Sequence, residues 1–167
     1  LENITYNKYD VPTDKNIPIV LYMGAGPGNH CVLLCKLFKG VVYHLYDKTP
    51  FDKKLINYGF KNVFLYNELF LDEQEKKYIK LSKKGYTIYL ISDIRSFDDD
   101  KKEEIVGINQ EMQNHWITHI NPVASMVKFR ALYDSNNITY LDGKILLQPW
   151  VGFSSTETRL IIDKPSN

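Results

Sequence analysis

The chain has 167 residues and a mass of 19.5 kDa, the size of one domain. Hydrophobic residues make up 44% of it, which excludes a disordered chain, and a net charge of +1 excludes the strong overall basic field of a general nucleic-acid binder. No apolar run is long enough to span a membrane, and no secretory signal is visible. After an N-terminal extension over 1–17, the pattern predicts a strand at 18–23, a helix over 29–38 and a strand at 41–46. A charged helical segment at 50–58 and a short strand at 63–66 follow, then a surface helix over 72–83 that Gly85 ends. Residues 86–92 form a continuous β-rich run, as a central parallel strand should. The polar loop 97–102 leads to a helix over 103–119, broken at Asn121-Pro122. Strands are predicted at 124–129, 138–141, 144–147 and 158–162, with Asp142-Gly143 as a hairpin turn between the middle pair. The expected fold is therefore α/β, with a mostly parallel sheet and antiparallel C-terminal strands.

The first strand runs into Gly24-Ala25-Gly26-Pro27-Gly28-Asn29-His30. Three glycines in five positions let the backbone bend sharply and approach a ligand closely. A phosphate-binding loop would end in Gly-Lys-Ser/Thr, which is absent, and the glycine spacing differs from that of a dinucleotide fold. The pattern suits a nucleoside without phosphate, its ribose hydroxyls held by an acid at the end of the next strand. Asp47 occupies that position, and S-adenosylmethionine is such a ligand. A tight strand-to-helix turn with no ligand is the plain alternative.

Three charged residues fall at or beside strand ends, where open α/β sheets bind ligands. Asp93 closes Ile91-Ser92-Asp93, Lys128 lies between Val127 and Phe129, and Glu157 precedes the apolar run Leu160-Ile161-Ile162. A lysine and two carboxylates converging near a methyl donor would suit deprotonation of a hydroxyl group. Taken singly, Asp93 could cap a turn, Lys128 could snorkel from an edge strand, and Glu157 with Arg159 could be a surface pair. Cys31 and Cys35, four apart on an apolar helical pattern, read as buried small hydrophobes in a reducing compartment. His30, His44, His115 and His119 show no ligand spacing with a carboxylate or thiol, and His30 is a candidate contact of the glycine loop. No metal site is expected, and the paired lysines (Lys53-Lys54, Lys76-Lys77, Lys83-Lys84, Lys101-Lys102) read as solvated helix faces and ends.

Together, the glycine loop, Ile91-Ser92-Asp93-Ile94-Arg95-Ser96, Asn121-Pro122-Val123-Ala124-Ser125, Lys128-Phe129-Arg130, Leu147-Gln148-Pro149-Trp150 and Glu157-Thr158-Arg159-Leu160 resemble one family. It is the poxvirus cap-specific mRNA (nucleoside-2′-O-)methyltransferases, which also stimulate the viral poly(A) polymerase and belong to the wider FtsJ-like 2′-O-methyltransferases. The resemblance implies a Rossmann-like class I methyltransferase that uses S-adenosylmethionine. The implied reaction is methyl transfer to the ribose 2′-hydroxyl of the first transcribed nucleotide of capped mRNA. Asp93, Lys128 and Glu157 would match members of the family's Lys-Asp-Lys-Glu catalytic set, with Lys128 the general base. Tyr22, Gly24, Gly26, Gly28 and His30 would form the cofactor loop, Asp47 would hold the ribose and Arg95 would line the cofactor pocket. Arg130 and Arg159 would extend a basic RNA track from Lys128, and Tyr133 with Asp134 would recognise the cap guanine.

The implied partners are capped mRNA and a poly(A) polymerase catalytic subunit or other viral capping and transcription proteins, with no membrane. The implied location is cytoplasmic, in a viral factory or virion. The chain departs from the family at its ends. The first catalytic lysine and half of the cap stack would lie upstream of Leu1, and a cap-binding acid beyond Asn167, so a piece or a reduced form of a longer chain is expected. An FtsJ-like rRNA or tRNA 2′-O-methyltransferase, and a non-catalytic RNA-binding or polymerase-stimulating subunit on the same fold, are the alternatives.

Overall fold

In the computed structural model, residues 4–96, 102–133, 139–148 and 156–164 are described. Strands β1 (Ile19–Met23), β2 (Val42–Tyr46), β3 (Val63–Tyr66), β4 (Ile88–Ser92), β5 (Ala124–Phe129), β6 (Lys144–Leu147) and β7 (Thr158–Asp163) form one sheet in the order β3-β2-β1-β4-β5-β7-β6. Strands β1 to β5 are parallel, and β7 runs antiparallel to both β5 and β6. The expected mostly parallel, Rossmann-like sheet with an antiparallel finish is therefore present. The chain moves outward from β1 to β2 and β3, then returns to β4 on the other side of β1. This switch point opens a crevice beyond the carboxyl ends of β1 and β4.

Helices α1 (Asn29–Leu37), α2 (Lys53–Tyr58), α3 (Asp72–Lys83) and α4 (Lys102–Ile120) connect the parallel strands. Asp52 starts α2 by accepting a hydrogen bond from the Lys54 N–H (2.7 Å), which satisfies one of the helix's free donors. Gly85, at φ +86, lies just past Lys84, the C-cap of α3, in the left-handed region that a helix stop favours.

Strand alternation sorts the core into two faces. Ile19, Leu21 and Met23 of β1 join Ile88 and Leu90 of β4 and Val127 of β5 on one face, packed with Tyr78 and Leu81 of α3 and Trp116 and Ile120 of α4. Tyr22, Tyr43 and Leu45 pack with Cys31, Cys35 and Leu55 of α1 and α2 on the other. The cysteines are buried and unpaired, as the sequence predicts.

One predicted hairpin is absent. Residues 139–141 form no strand, residue 138 lies outside the described residues, and β6 pairs with β7 instead. Gly143 is not needed as a turn residue there: a Cβ on it would run into the backbone carbonyl of Ile161 in β7. Tyr140 is drawn to the helix layer, where its hydroxyl donates to the Gln110 carbonyl (2.8 Å) and its ring stacks on Phe129.

Helix α4 also buries Gln110 and Gln113. The Gln113 amide donates to the Lys128 carbonyl (2.9 Å), and the Gln110 side chain accepts from the Arg130 N–H (3.1 Å). The helix thereby clamps the end of β5 on both sides of Lys128.

Candidate active site

The crevice has a volume of about 620 Å³, within the range of small-molecule sites. Its floor is the turn after β1. A Cβ on Gly24 would lie 2.7 Å from the carbonyl carbon of Asp93, and one on Gly26 would lie 2.7 Å from Cγ of Asp47. Glycine at 24 lets the β1 turn lie flush against the end of β4, and glycine at 26 leaves room for the Asp47 carboxylate. That carboxylate is fixed by the backbone: Oδ2 accepts from the Gly26 N–H and Oδ1 from the Thr49 N–H, both at 2.7 Å. Each oxygen retains a second lone pair, so Asp47 can still accept from a pair of vicinal hydroxyls. Tyr46, Phe70 and Trp116 give the crevice aromatic walls. The glycine cradle, the fixed acid and the aromatic walls fit the ribose and base of S-adenosylmethionine.

At the far end of the crevice the structure brings together three residues widely separated in sequence. Lys128 Nζ lies 3.0 Å from Asp93 Oδ1 and 3.3 Å from Glu157 Oε1. Each carboxylate also has an arginine. Arg159 donates to Asp93 (2.9 Å), and Arg95 is bonded to Glu157. The order Arg159–Asp93–Lys128–Glu157–Arg95 alternates in charge. Burial pushes the Glu157 carboxyl up, but Lys128 and Arg95 outweigh it and hold the group below the usual carboxylate range. The cross-strand register explains part of the convergence: Lys128 of β5 lies directly opposite Arg159 of β7, on the same face. Lys128 and Arg95 line the crevice, and the Lys128 side chain remains 15% exposed.

Gly24, Gly26, Asp47, Asp93, Arg95 and Lys128 thus share one crevice, with Glu157 bonded to its rim. Gly28, at φ +85, caps α1 beside Leu55 and Phe51 rather than lining the crevice. Tyr22 and His30 do not line it either. They bond each other (Tyr22 Oη to His30 Nε2, 3.0 Å), and Tyr22 faces a separate apolar groove with Leu34, Phe38, Tyr89 and Ile91.

Arg159 is turned onto Asp93 instead of standing free for RNA. Arg130 is bonded to Glu103 (2.5 Å) and lies over the Tyr133 ring, 4.5 Å from its centre. Tyr133 is 68% exposed and is held by its N–H to Glu103 (2.9 Å) and its hydroxyl to Thr156 (3.0 Å). Asp134 lies outside the described residues. Sequence reading missed Phe70, Asn109 and Trp116 as crevice residues. Trp116 and Asn109 carry a helical core signal, and only the fold reveals that this face of α4 also borders a ligand space.

The profile of the family described as poly A polymerase regulatory subunit matches residues 2–167. The chain belongs to the poly(A) polymerase regulatory subunit family. It is also 30% identical over 159 residues to the cap-specific mRNA (nucleoside-2′-O-)-methyltransferase of Fowlpox virus (strain NVSL), covering 86% of this chain and 48% of that relative. The chain therefore spans about half the length of this curated relative. Among solved structures, bluetongue virus VP4, described as a multifunctional RNA-capping production line, superposes with a TM-score of 0.64. The match covers 87% of this chain and 23% of VP4 at 17% identity, which shows a shared fold. Among the described residues no helix is long and apolar enough to cross a membrane.

Proposed function

We propose that this member of the family transfers a methyl group to the ribose 2′-hydroxyl of the first transcribed nucleotide of capped mRNA. The observation that carries the reading is Lys128 held between Asp93 and Glu157 at the end of a crevice whose other end is the Gly24–Gly26–Asp47 cradle. When bound, S-adenosylmethionine supplies the methyl group for in-line transfer from its sulfonium. Asp47 and the glycine turn orient the cofactor's ribose. Asp93 and Glu157 fix the Lys128 side chain in one geometry, so the nucleophile need not wait for it to arrive. Lys128 sits charged between the two carboxylates, so it takes the proton of the 2′-hydroxyl at Nζ after releasing one of its own to solvent, and general-base catalysis of this kind contributes roughly 10²–10⁴ in rate. Tyr133, with Arg130 over its ring, offers an exposed aromatic surface for a cationic cap base.

The test is methyl transfer from labelled cofactor to capped and uncapped transcripts of one sequence, with the methyl group located by nuclease digestion. Transfer to the first ribose of capped RNA is expected, and Lys128→Ala should lower it about 10²–10⁴-fold. Binding of S-adenosylhomocysteine should persist in that variant, because Asp93 and Glu157 each keep an arginine partner. Equal transfer by the two proteins would remove Lys128 from the chemistry. Equal transfer to capped and uncapped RNA would favour a ribosomal or transfer RNA substrate.

The regulatory-subunit description of the family supports a second reading. In it, the same fold binds RNA and stimulates a poly(A) polymerase catalytic subunit without catalysis of its own. Polymerase stimulation that survives Lys128→Ala, with no transfer by the wild type, would support it.

A further inference from the structure

His115 and His119 stand one turn apart on α4, and α3 brings Glu75 to them from 40 residues away. His115 Nε2 lies 3.1 Å from Glu75 Oε2, and His119 Nδ1 lies 4.0 Å from Glu75 Oε1. The three ligand atoms all fall within 4.8 Å of one another. Glu75 is the unusual member. It is only 5% exposed, and its Oε1 has no hydrogen-bond partner while facing the His119 ring. A buried carboxylate oxygen without a donor is costly, and the His119 ring facing it at 4.0 Å is beyond hydrogen-bond distance, so a bound cation would relieve it. The histidines are half exposed, so an ion can reach them from solvent.

We infer that Glu75, His115 and His119 form a binding site for a zinc-class divalent ion that joins α3 to α4. Two imidazoles and a carboxylate, with the histidines at i and i+4 on one helix face, form a ligand set suited to zinc. Tetrahedral zinc at its usual bond lengths places its ligand atoms about 3.3 Å apart. The Glu75–His115 pair already has that spacing, and His119 must close by about an ångström. To do so, its Nδ1 must leave the His115 carbonyl it now contacts at 2.7 Å. Solvent would take the fourth position. The site lies one residue from Trp116, which walls the crevice and packs edge-on against Phe70, so a bound ion would also brace that wall. Cys31 and Cys35 are poor competitors, because burial pushes both thiols up to about 12.

The test is zinc titration of the metal-free protein against a chromophoric chelator, with elemental analysis and thermal unfolding of the same samples. One equivalent should bind, and a hundredfold excess of free zinc over Kd should raise the unfolding midpoint by roughly 5–10 °C. Glu75→Gln should weaken binding at least about tenfold by removing the charge. His115→Asn with His119→Asn changes exposed positions only and should abolish both uptake and the thermal shift. No uptake by the wild type, or uptake unchanged in the double histidine variant, would overturn the assignment.

Discussion

Gly24 offers a sharp test of how the crevice is built. It sits at φ +76, where an alanine is strained by roughly 1–2 kcal/mol. An added Cβ would also meet the Asp93 carbonyl carbon at 2.7 Å and the Asp93 oxygen and Ile94 nitrogen at 2.8 Å. All three are backbone atoms, so the ends of β1 and β4 must separate, an overpacking cost of roughly 1–3 kcal/mol. The restriction of the unfolded chain returns about 0.4–1 kcal/mol. Gly24→Ala should therefore cost roughly 1–5 kcal/mol, with a centre near 3. At this chain length a loss of about 3 kcal/mol lowers the unfolding midpoint by roughly 6–12 °C. Gly26→Ala is the control. Its backbone is outside the left-handed region, and the nearest atoms its Cβ would meet are Cγ (2.7 Å), Cβ (2.9 Å) and Oδ2 (3.0 Å) of Asp47; the carboxylate can turn aside, but Asp47 Cβ can retreat only with its backbone. Without the positive-φ strain, its stability should fall by roughly 0–3 kcal/mol, less than that of Gly24→Ala. Displacing the Asp47 carboxylate should still weaken S-adenosylhomocysteine binding by about tenfold or more, the equivalent of one hydrogen bond. Urea unfolding and ligand titration on the same two variants read both effects. A Gly24→Ala protein as stable as the wild type, or a Gly26→Ala protein less stable than Gly24→Ala, would refute the close-approach argument.

Two further outcomes follow from other parts of the molecule. Tyr133→Ala should lower kcat/KM on capped RNA by about tenfold or more, the value of one stacked base, and leave uncapped RNA unaffected; an equal fall on both substrates would show that the ring does not read the cap. His44 is fully buried between the Tyr78 hydroxyl (2.7 Å) and the Asp10 carbonyl (2.9 Å), and burial lowers its pKa to about 3. Between pH 6.5 and 3 the unfolded chain takes up a proton there that the folded chain refuses, so stability falls as pH falls, by about 2 kcal/mol from pH 7.5 to 5. Urea unfolding of the wild type and His44→Gln across that range should show the variant losing less; parallel curves would contradict it.

The parallel half of the sheet was legible because each strand is a compact apolar run bounded by turn or cap residues, as with Gly85 before β4 and Asp52 before α2. The acid–amine–acid set was legible because Asp93 and Glu157 flank the ends of β4 and β7 and Lys128 lies near the end of β5, so the strand order fixes where they meet. What the sequence hid depends on pairing across the fold. Asp142-Gly143 resembles a hairpin turn, yet Gly143 is small because β7 passes against it. Gln110 and Gln113 look like surface positions until the end of β5 needs hydrogen-bond partners. Arg159 looks like a free cation, but cross-strand register sets it beside Lys128 and within reach of Asp93. Tyr22 falls on the opposite strand face from Met23, so pleat parity alone removes it from the crevice. His115 and His119 share a one-turn spacing on α4, but nothing local ties Glu75 to them; only the packing of α3 on α4 does.

The most direct measurement is a crystal structure of this chain with S-adenosylhomocysteine. The ribose hydroxyls should rest on Asp47, with the sulfur turned toward Lys128. Ligand lodged instead in the apolar groove beside Tyr22 and Tyr89, or no ligand in the crevice at saturating concentration, would contradict the assignment of this cleft as the methyl-donor site.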